Sequence, residues 1–289
     1  MNFREKFFLS CLILVISLPA NSWGTSAKEL SKSVVFLKAY CQVCEDDLEG
    51  NKQEIWYREP YTGKYRRKIN TISGTAFIIK HNSKDYLVTA KHIVDCLLKD
   101  VKILMNFSGG IMIISSKHIE TSIPGTKWFL HPSEDVAIHP LFYPQKVNHI
   151  SFPSKVCSKE VEEIPLLSKI SIMGFPQGLG IQEIVSPIAK EVSVAKDLVT
   201  IGPPHFKQNH DFILLDQALC QGYSGAPVFF IEEIFSQKTE IIHLIGIQSC
   251  TISDITGGKI SLVVPISNLW DILQSTDFLI YEQTLEKKL

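Results

Sequence analysis

Residues 222–227 read Gly222-Tyr223-Ser224-Gly225-Ala226-Pro227, a serine set between glycines just ahead of an apolar run, Val228 to Ile231. Glycine has no Cβ, so a chain can turn sharply here and a carbonyl can approach the backbone N–H groups. Two segments upstream complete the pattern. Tyr86-Leu-Val-Thr-Ala-Lys-His92 is an apolar strand that ends in small residues and delivers a histidine, and Glu134-Asp135-Val136-Ala137-Ile138 places an acid ahead of another apolar strand. Each motif alone is ordinary. Together they supply a weak nucleophile, Ser224, a base to take its proton, His92, and a carboxylate to orient the base, Asp135. Asp95 and Glu134 compete in sequence for the acid role.

Around these motifs the chain is a series of short β-rich runs separated by turn residues. They are Ser33–Lys38, Gly74–Lys80, Asp85–Thr89, Lys102–Met105, Asp135–His139, Ile170–Gly174, Glu183–Val194, Asp211–Asp216, Pro227–Ile231, Ile241–Ser249 and Lys259–Pro265. Strands at this spacing predict sandwiches or barrels. Only one late segment carries a helical period: Ser267 reads as an N-cap and Leu269, Trp270, Ile272 and Leu273 as the apolar face of a short C-terminal helix. Residues 278–289 read as a tail, in which Phe278, Leu279, Ile280 and Tyr281 offer packing to the body. The charged interval 45–70 reads as a long hairpin loop or an insertion, with Lys64–Lys68 as a solvated face.

Composition removes whole classes of function. The 289 residues carry 29 basic and 30 acidic side chains, which leaves no global field to attract nucleic acid. The N-terminus has Arg4 and Lys6 ahead of an apolar stretch, Phe7 to Leu18, and then Pro19, Ala20 and Ser22. That is the order of a secretory signal peptide over residues 1–22, with cleavage after Ser22 and Gly24 or Ala27 as alternatives, export to the periplasm or the medium, and no stable membrane insertion afterwards; the competing reading is an uncleaved anchor. Of seven cysteines, Cys11 leaves with the leader. Cys41, Cys44, Cys96, Cys157, Cys220 and Cys250 remain, an even number that suits disulfides in an oxidising compartment. Cys41-x-x-Cys44 lacks a second ligand pair, and His81, His118, His131, His139, His149, His205, His210 and His243 show no ligand spacing. They read as surface or packing residues, with no metal and no cofactor expected.

The residue order is His–Asp–Ser, with 43 residues from His92 to Asp135 and 89 on to Ser224. This order disfavours an esterase of the α/β-hydrolase type, as does Ala226 where that elbow needs glycine. The sequence resembles the trypsin-like (chymotrypsin-fold) serine peptidases, nearest to the secreted bacterial HtrA/Deg branch, over roughly residues 31–275. The resemblance rests on Ser33-Val-Val-Phe, Gly74-Thr-Ala-Phe-Ile-Ile, Thr89-Ala-Lys-His-Ile-Val-Asp95, Ile172-Met-Gly-Phe-Pro-Gln-Gly-Leu179 and Leu244-Ile-Gly-Ile-Gln-Ser249.

The resemblance implies an all-β fold of two six-stranded-type barrels with the active site in the cleft between them. The domain would span 28–277, with the barrel boundary near 150–168. It implies an exported serine endopeptidase acting on polypeptides, with Asp135 chosen over its neighbours because Asp-Val-Ala matches the family motif. Gly222 and Ser224 would supply the oxyanion hole, Gln248–Thr251 (with Ser249 and Cys250) would pair with a substrate strand, and Ala218 would sit near the base of the specificity pocket. Ala218 has no charge, so a small or aliphatic residue is expected before the cut bond, with Asp216 the neighbour that would overturn this. A half-cystine at Cys220 is implied, with Cys250 as partner and two buried thiols as the alternative. Tyr223 stands where digestive relatives carry an aspartate that receives a new N-terminal amine, so activation by that salt bridge is not implied. The chain as read carries no PDZ module, so trimeric cages do not carry over. The competing reading is a latent or non-catalytic trypsin-fold module that binds peptides or proteins.

Overall fold

A computed structural model describes residues 27–42, 44–46, 52–54, 56–58, 65–67, 69–95, 100–108, 110–143, 147, 149–154, 157, 164–202, 205–234 and 239–286. The leader at 1–22, Cys96 and the side chains of Cys41 and Cys44 lie outside the described residues, as do Lys64 and Lys68. No helix among the described residues is long and apolar enough to cross a membrane.

After a short helix, α1 (Ala27–Ser31), strand β1 (Val34–Gln42) opens the first sheet. The charged interval that follows forms two small ribbons, β2 (Cys44–Asp46) with β3 (Lys52–Glu54) and β4 (Trp56–Arg58) with β5 (Tyr65–Arg67). It is an insertion between β1 and its antiparallel partner β6 (Ile69–His81). Strand β7 (Lys84–Thr89) and the one-turn helix α2 (Lys91–Val94) come next. They are followed by β8 (Val101–Phe107), β9 (Gly110–Ser115), α3 (Ser116–Ser122), β10 (Phe129–Leu130), β11 (Ala137–Pro140) and β12 (Phe152–Pro153). The hydrogen-bonded order is β10-β11-β7-β6-β1-β8-β9, with β12 alongside β6. Side chains alternate along β8, with Val101, Ile103 and Met105 inward, as period-2 patterning requires.

The second unit is a closed six-stranded barrel. Its strands are β13 (Lys169–Gly174), β14 (Ile188–Ile201), β15 (His210–Leu215), β16 (Pro227–Ile234), β17 (Thr239–Ser253) and β18 (Lys259–Pro265), in the order β13-β14-β15-β18-β17-β16. Ile170, Ile172, Val192, Val194, Ile213, Val228 and Val263 fill it. The expected two-barrel architecture therefore holds, the first unit being a curled sheet whose hydrogen-bonded edges do not join among the described residues.

Two local expectations are corrected. Helix α4 (Ser267–Leu273) starts one residue earlier than expected, with Ile266 at the cap and no side-chain capping bond, so Ser267 is its first turn and not its N-cap. Residues 276–286 are not a tail. They form helix α5 (Thr276–Glu286), whose Phe278, Tyr281 and Leu285 are buried. Phe278 packs on Tyr86 and Phe129 with ring centroids 5.3 and 5.1 Å apart. The buried carboxylate of Glu282 accepts from Tyr86 Oη at 2.6 Å and from Asn82 Nδ2 at 2.6 Å. The helix is thus pinned to the β6–β7 hairpin that leads to His92.

Candidate active site

The site sits where the two units meet. Strand β7 ends at Thr89, and α2 then presents His92. Asp135 lies in the turn before β11, a turn shaped by His131. The His131 N–H donates to Val136 O at 2.9 Å, and its ring Nδ1 accepts from the backbone N–H of Glu134 at 2.8 Å. With Nδ1 an acceptor, the ring proton sits on Nε2, which faces Asp271 at 3.4 Å.

Asp135 grips His92 at two points. Oδ1 accepts the His92 backbone N–H at 2.8 Å and Oδ2 accepts from Nδ1 at 2.7 Å. A proton on Nδ1 leaves Nε2 with the lone pair, facing the cleft. Ser249 Oγ adds a third donor, 2.6 Å from Asp135 Oδ2. Burial alone pushes the Asp135 carboxyl up, but these donors and the adjacent imidazole outweigh it and hold the group below its ordinary value.

Ser224 lies on the turn between β15 and β16, and its Oγ donates to the Ser249 carbonyl at 3.0 Å. Among the described residues no hydrogen bond joins Ser224 Oγ to His92. The loop carrying the serine is tied to the first unit through one residue. The Thr75 N–H donates to Ser224 O at 2.8 Å, Thr75 Oγ1 donates to Gly222 O at 2.7 Å, and the same oxygen accepts the Phe175 N–H at 3.1 Å. Gly222 has φ +105°, and a Cβ there would lie 2.2 Å from Phe175 O, so glycine is required. The N–H groups of Gly222 and Ser224 donate to no protein acceptor among the described residues. Tyr223 is buried in the second barrel, its Oη donating to Ile188 O at 3.4 Å, so packing helps to hold this loop.

The remaining expected residues fall on the walls of the cleft. Gln248 exchanges backbone bonds with Gly225 and Ala226, and its Nε2 donates to Cys250 O. Strand β16 leaves β17 at the pair Pro227↔Ile247, so from Ser249 onward β17 is paired on the β18 side alone among the described residues. Thr251 Oγ1 bonds Leu219 O at 3.2 Å and Ser261 Oγ at 3.1 Å. Ala218 is half-buried and its carbonyl accepts from Lys190 Nζ at 3.2 Å. Asp216 is exposed and turned away, accepting the Ser193 N–H.

The implied Cys220–Cys250 bridge is absent, since both are free thiols. Cys250 is half-buried on the His92 side of the cleft, whereas Cys220 is exposed on the loop beside Tyr223, so the two sulfurs serve different surfaces. Cys157, also free, is buried and its thiol is pushed up to about 12. Of the competing acids, neither Asp95 nor Glu134 makes a hydrogen bond or ion pair to His92 among the described residues. Glu134 pairs instead with His210, whose Nδ1 lies 3.1 Å from Oε2, so His210 is not a plain packing residue.

The fold is trypsin-like and two-barrelled, similar to that of solved HtrA-type protease domains. The MamO protease domain from Magnetospirillum magneticum superposes with a TM-score of 0.51 at 14% identity, over 86% of this chain and 98% of that one. A variant of the HtrA-type protease AlgW with a tripeptide gives 0.50 at 15% identity, over 86% of this chain and 61% of AlgW. This chain therefore spans about three fifths of AlgW, and at these identities the likeness is one of fold. No protein-family model matches the sequence, and no curated protein matches it.

Proposed function

We propose that this chain is an exported serine endopeptidase that cuts polypeptides through an acyl-enzyme. The observation that carries the reading is the two-point grip of Asp135 on His92, which fixes the tautomer with Nε2 free to take a proton. Ser224 Oγ attacks the substrate carbonyl carbon while its proton passes to Nε2. The C–N bond then breaks, the amine leaves with that proton, and water repeats the sequence in reverse to release the acid. The unengaged N–H groups of Gly222 and Ser224 suit the oxyanion, and the open edge of β17 from Ser249 suits an added peptide strand. A small or aliphatic residue is preferred before the cut bond, because Asp216 faces away and the charge beside Ala218 is Lys190. The leader-like residues 1–22 support export.

The turn of Ser224 Oγ toward Ser249 O favours a second reading, a latent or non-catalytic module on the same fold that binds peptides. Fluorophosphonate labelling of the purified protein separates the two. The peptidase reading expects wild type to label and Ser224→Ala and His92→Ala to stay unlabelled, since removing either group costs on the order of 10⁶-fold in turnover in such triads. A folded wild type that does not label overturns it in favour of the binding module.

A further inference from the structure

Beside His92 the cleft opens into a cavity of about 430 Å³ lined by residues of both units. Phe206 and Phe212 form its aromatic wall, with ring centroids 5.2 Å apart, and His210 packs edge-on against Phe206 at 5.5 Å. Two carboxylates, Asp95 and Glu134, line it outside the Asp135–His92 pair. Glu134 is held in place by His210 Nδ1, whose single N–H is shared between both carboxylate oxygens at 3.2 and 3.1 Å and leaves further lone pairs of the group open. The Asp95 carboxylate has no hydrogen-bond or ion-pair partner among the described residues. The cavity's one lysine, Lys91, is committed elsewhere, with Nζ on His131 O at 2.8 Å and Pro132 O at 3.4 Å. The cavity therefore joins apolar aromatic faces to unspent negative charge, and it is continuous with Ser249 and Cys250, where β17 is open to an added strand.

We propose that this cavity selects a basic side chain, arginine above lysine, on the peptide strand that lies along Ser249–Thr251. The inference deepens the peptidase reading and rests on it for the path of the strand. The aliphatic stem would lie on Phe206 and Phe212, whose ring faces also attract a cation, and the head group would meet Asp95 and Glu134. Arginine is favoured because its planar guanidinium stacks on rings and bonds a carboxylate through two parallel N–H groups. This position is distinct from the residue before the cut bond, which faces Ala218.

The test is a peptide series in which Arg, Lys, Leu and Glu are placed in turn at four positions on either side of one cleavage site. kcat/KM is read for wild type, and binding is read by fluorescence anisotropy for Ser224→Ala. One position is expected at which Arg exceeds Leu at least tenfold and Glu at least a hundredfold. Within the variant Asp95→Asn, Glu134→Gln that Arg-to-Leu ratio falls below threefold, and in Asp95→Lys, a change at an exposed site, the order of Arg and Glu reverses. Because each variant is scored by its own ratio, a general loss of activity does not imitate the result. A flat series, or an Arg preference that survives the double substitution, overturns the proposal. Failure of the peptidase reading shows separately, as absent fluorophosphonate labelling, and the anisotropy arm then decides this inference by itself.

Discussion

Thr75 is a single buried residue through which the first unit holds the serine loop of the second. Replacing it with valine keeps the shape but strands Gly222 O without a donor and Phe175 N without an acceptor. Each buried group left unpaired costs about 1–3 kcal/mol. Thr75→Val is expected to lower stability by that order and to slow fluorophosphonate labelling, while Thr75→Ser restores both, as chemical denaturation and labelling rate will show. At this scale the sequence displayed His92, Asp135 and Ser224, because their residue types and order announce their chemistry. It did not display Thr75 or the Ser249 hydroxyl that donates to Asp135. Those residues act through hydrogen bonds to groups far along the chain, with 147 positions separating Thr75 from Gly222 and 114 separating Ser249 from Asp135. Nothing in their local pattern marks them.

Among the elements, most strands were legible from alternation and turn residues, and the exceptions have local causes. The run expected at Glu183–Val194 is in fact β14, Ile188–Ile201. Its start lies later because residues 181–187 form an irregular turn closed by an Ile181↔Val185 bridge. Its end was hidden because register shifts after Val194 break the period-2 pattern on which such a reading depends. Helix α5 is hidden in the sequence for a different reason: its buried face holds Glu282 as well as Phe278, Tyr281 and Leu285, so no clean apolar stripe appears. Phe278 is fully buried among Tyr86, Phe129 and Tyr281. Phe278→Ala is expected to destabilise by about 3–5 kcal/mol. Since α5 braces the hairpin before His92, hydrogen exchange in β6 and β7 should quicken in the same variant, and protection unchanged from wild type would refute that bracing.

Across the whole molecule, the passage from one barrel to the other is fastened by a polar clamp. Asp85 at the start of β7 accepts from Ser151 Oγ at 2.7 Å and from Tyr143 Oη, with His149 Nε2 at 3.4 Å and Lys80 Nζ at 3.7 Å. Partial burial pushes the Asp85 carboxyl up, but these donors win and bring it from 3.8 down to about 2. A depressed folded value means the unfolded chain binds the proton more tightly. The clamp's stabilisation is therefore complete above about pH 5 and is lost as the pH falls through 3.8 toward 2, on the order of 1–2 kcal/mol once partial exposure is allowed for. Urea midpoints of wild type and Asp85→Asn should differ at pH 6 and draw together as the pH falls toward 2 and below. The cleft itself was legible at this scale only as a junction of two barrels. The acid and aromatic side chains around it come from loops on both units and from strand β15, and their meeting is a property of the packed pair.

The docking of α5 on Tyr86 and Phe129 also bears on biosynthesis. A ribosome delivers β6, β7 and β10 early and α5 only after every strand of the second barrel has emerged. The apolar face that receives Phe278 stays uncovered for that interval, a sticky surface on a nascent chain. The first unit can therefore complete this part of its core only once α5 has emerged.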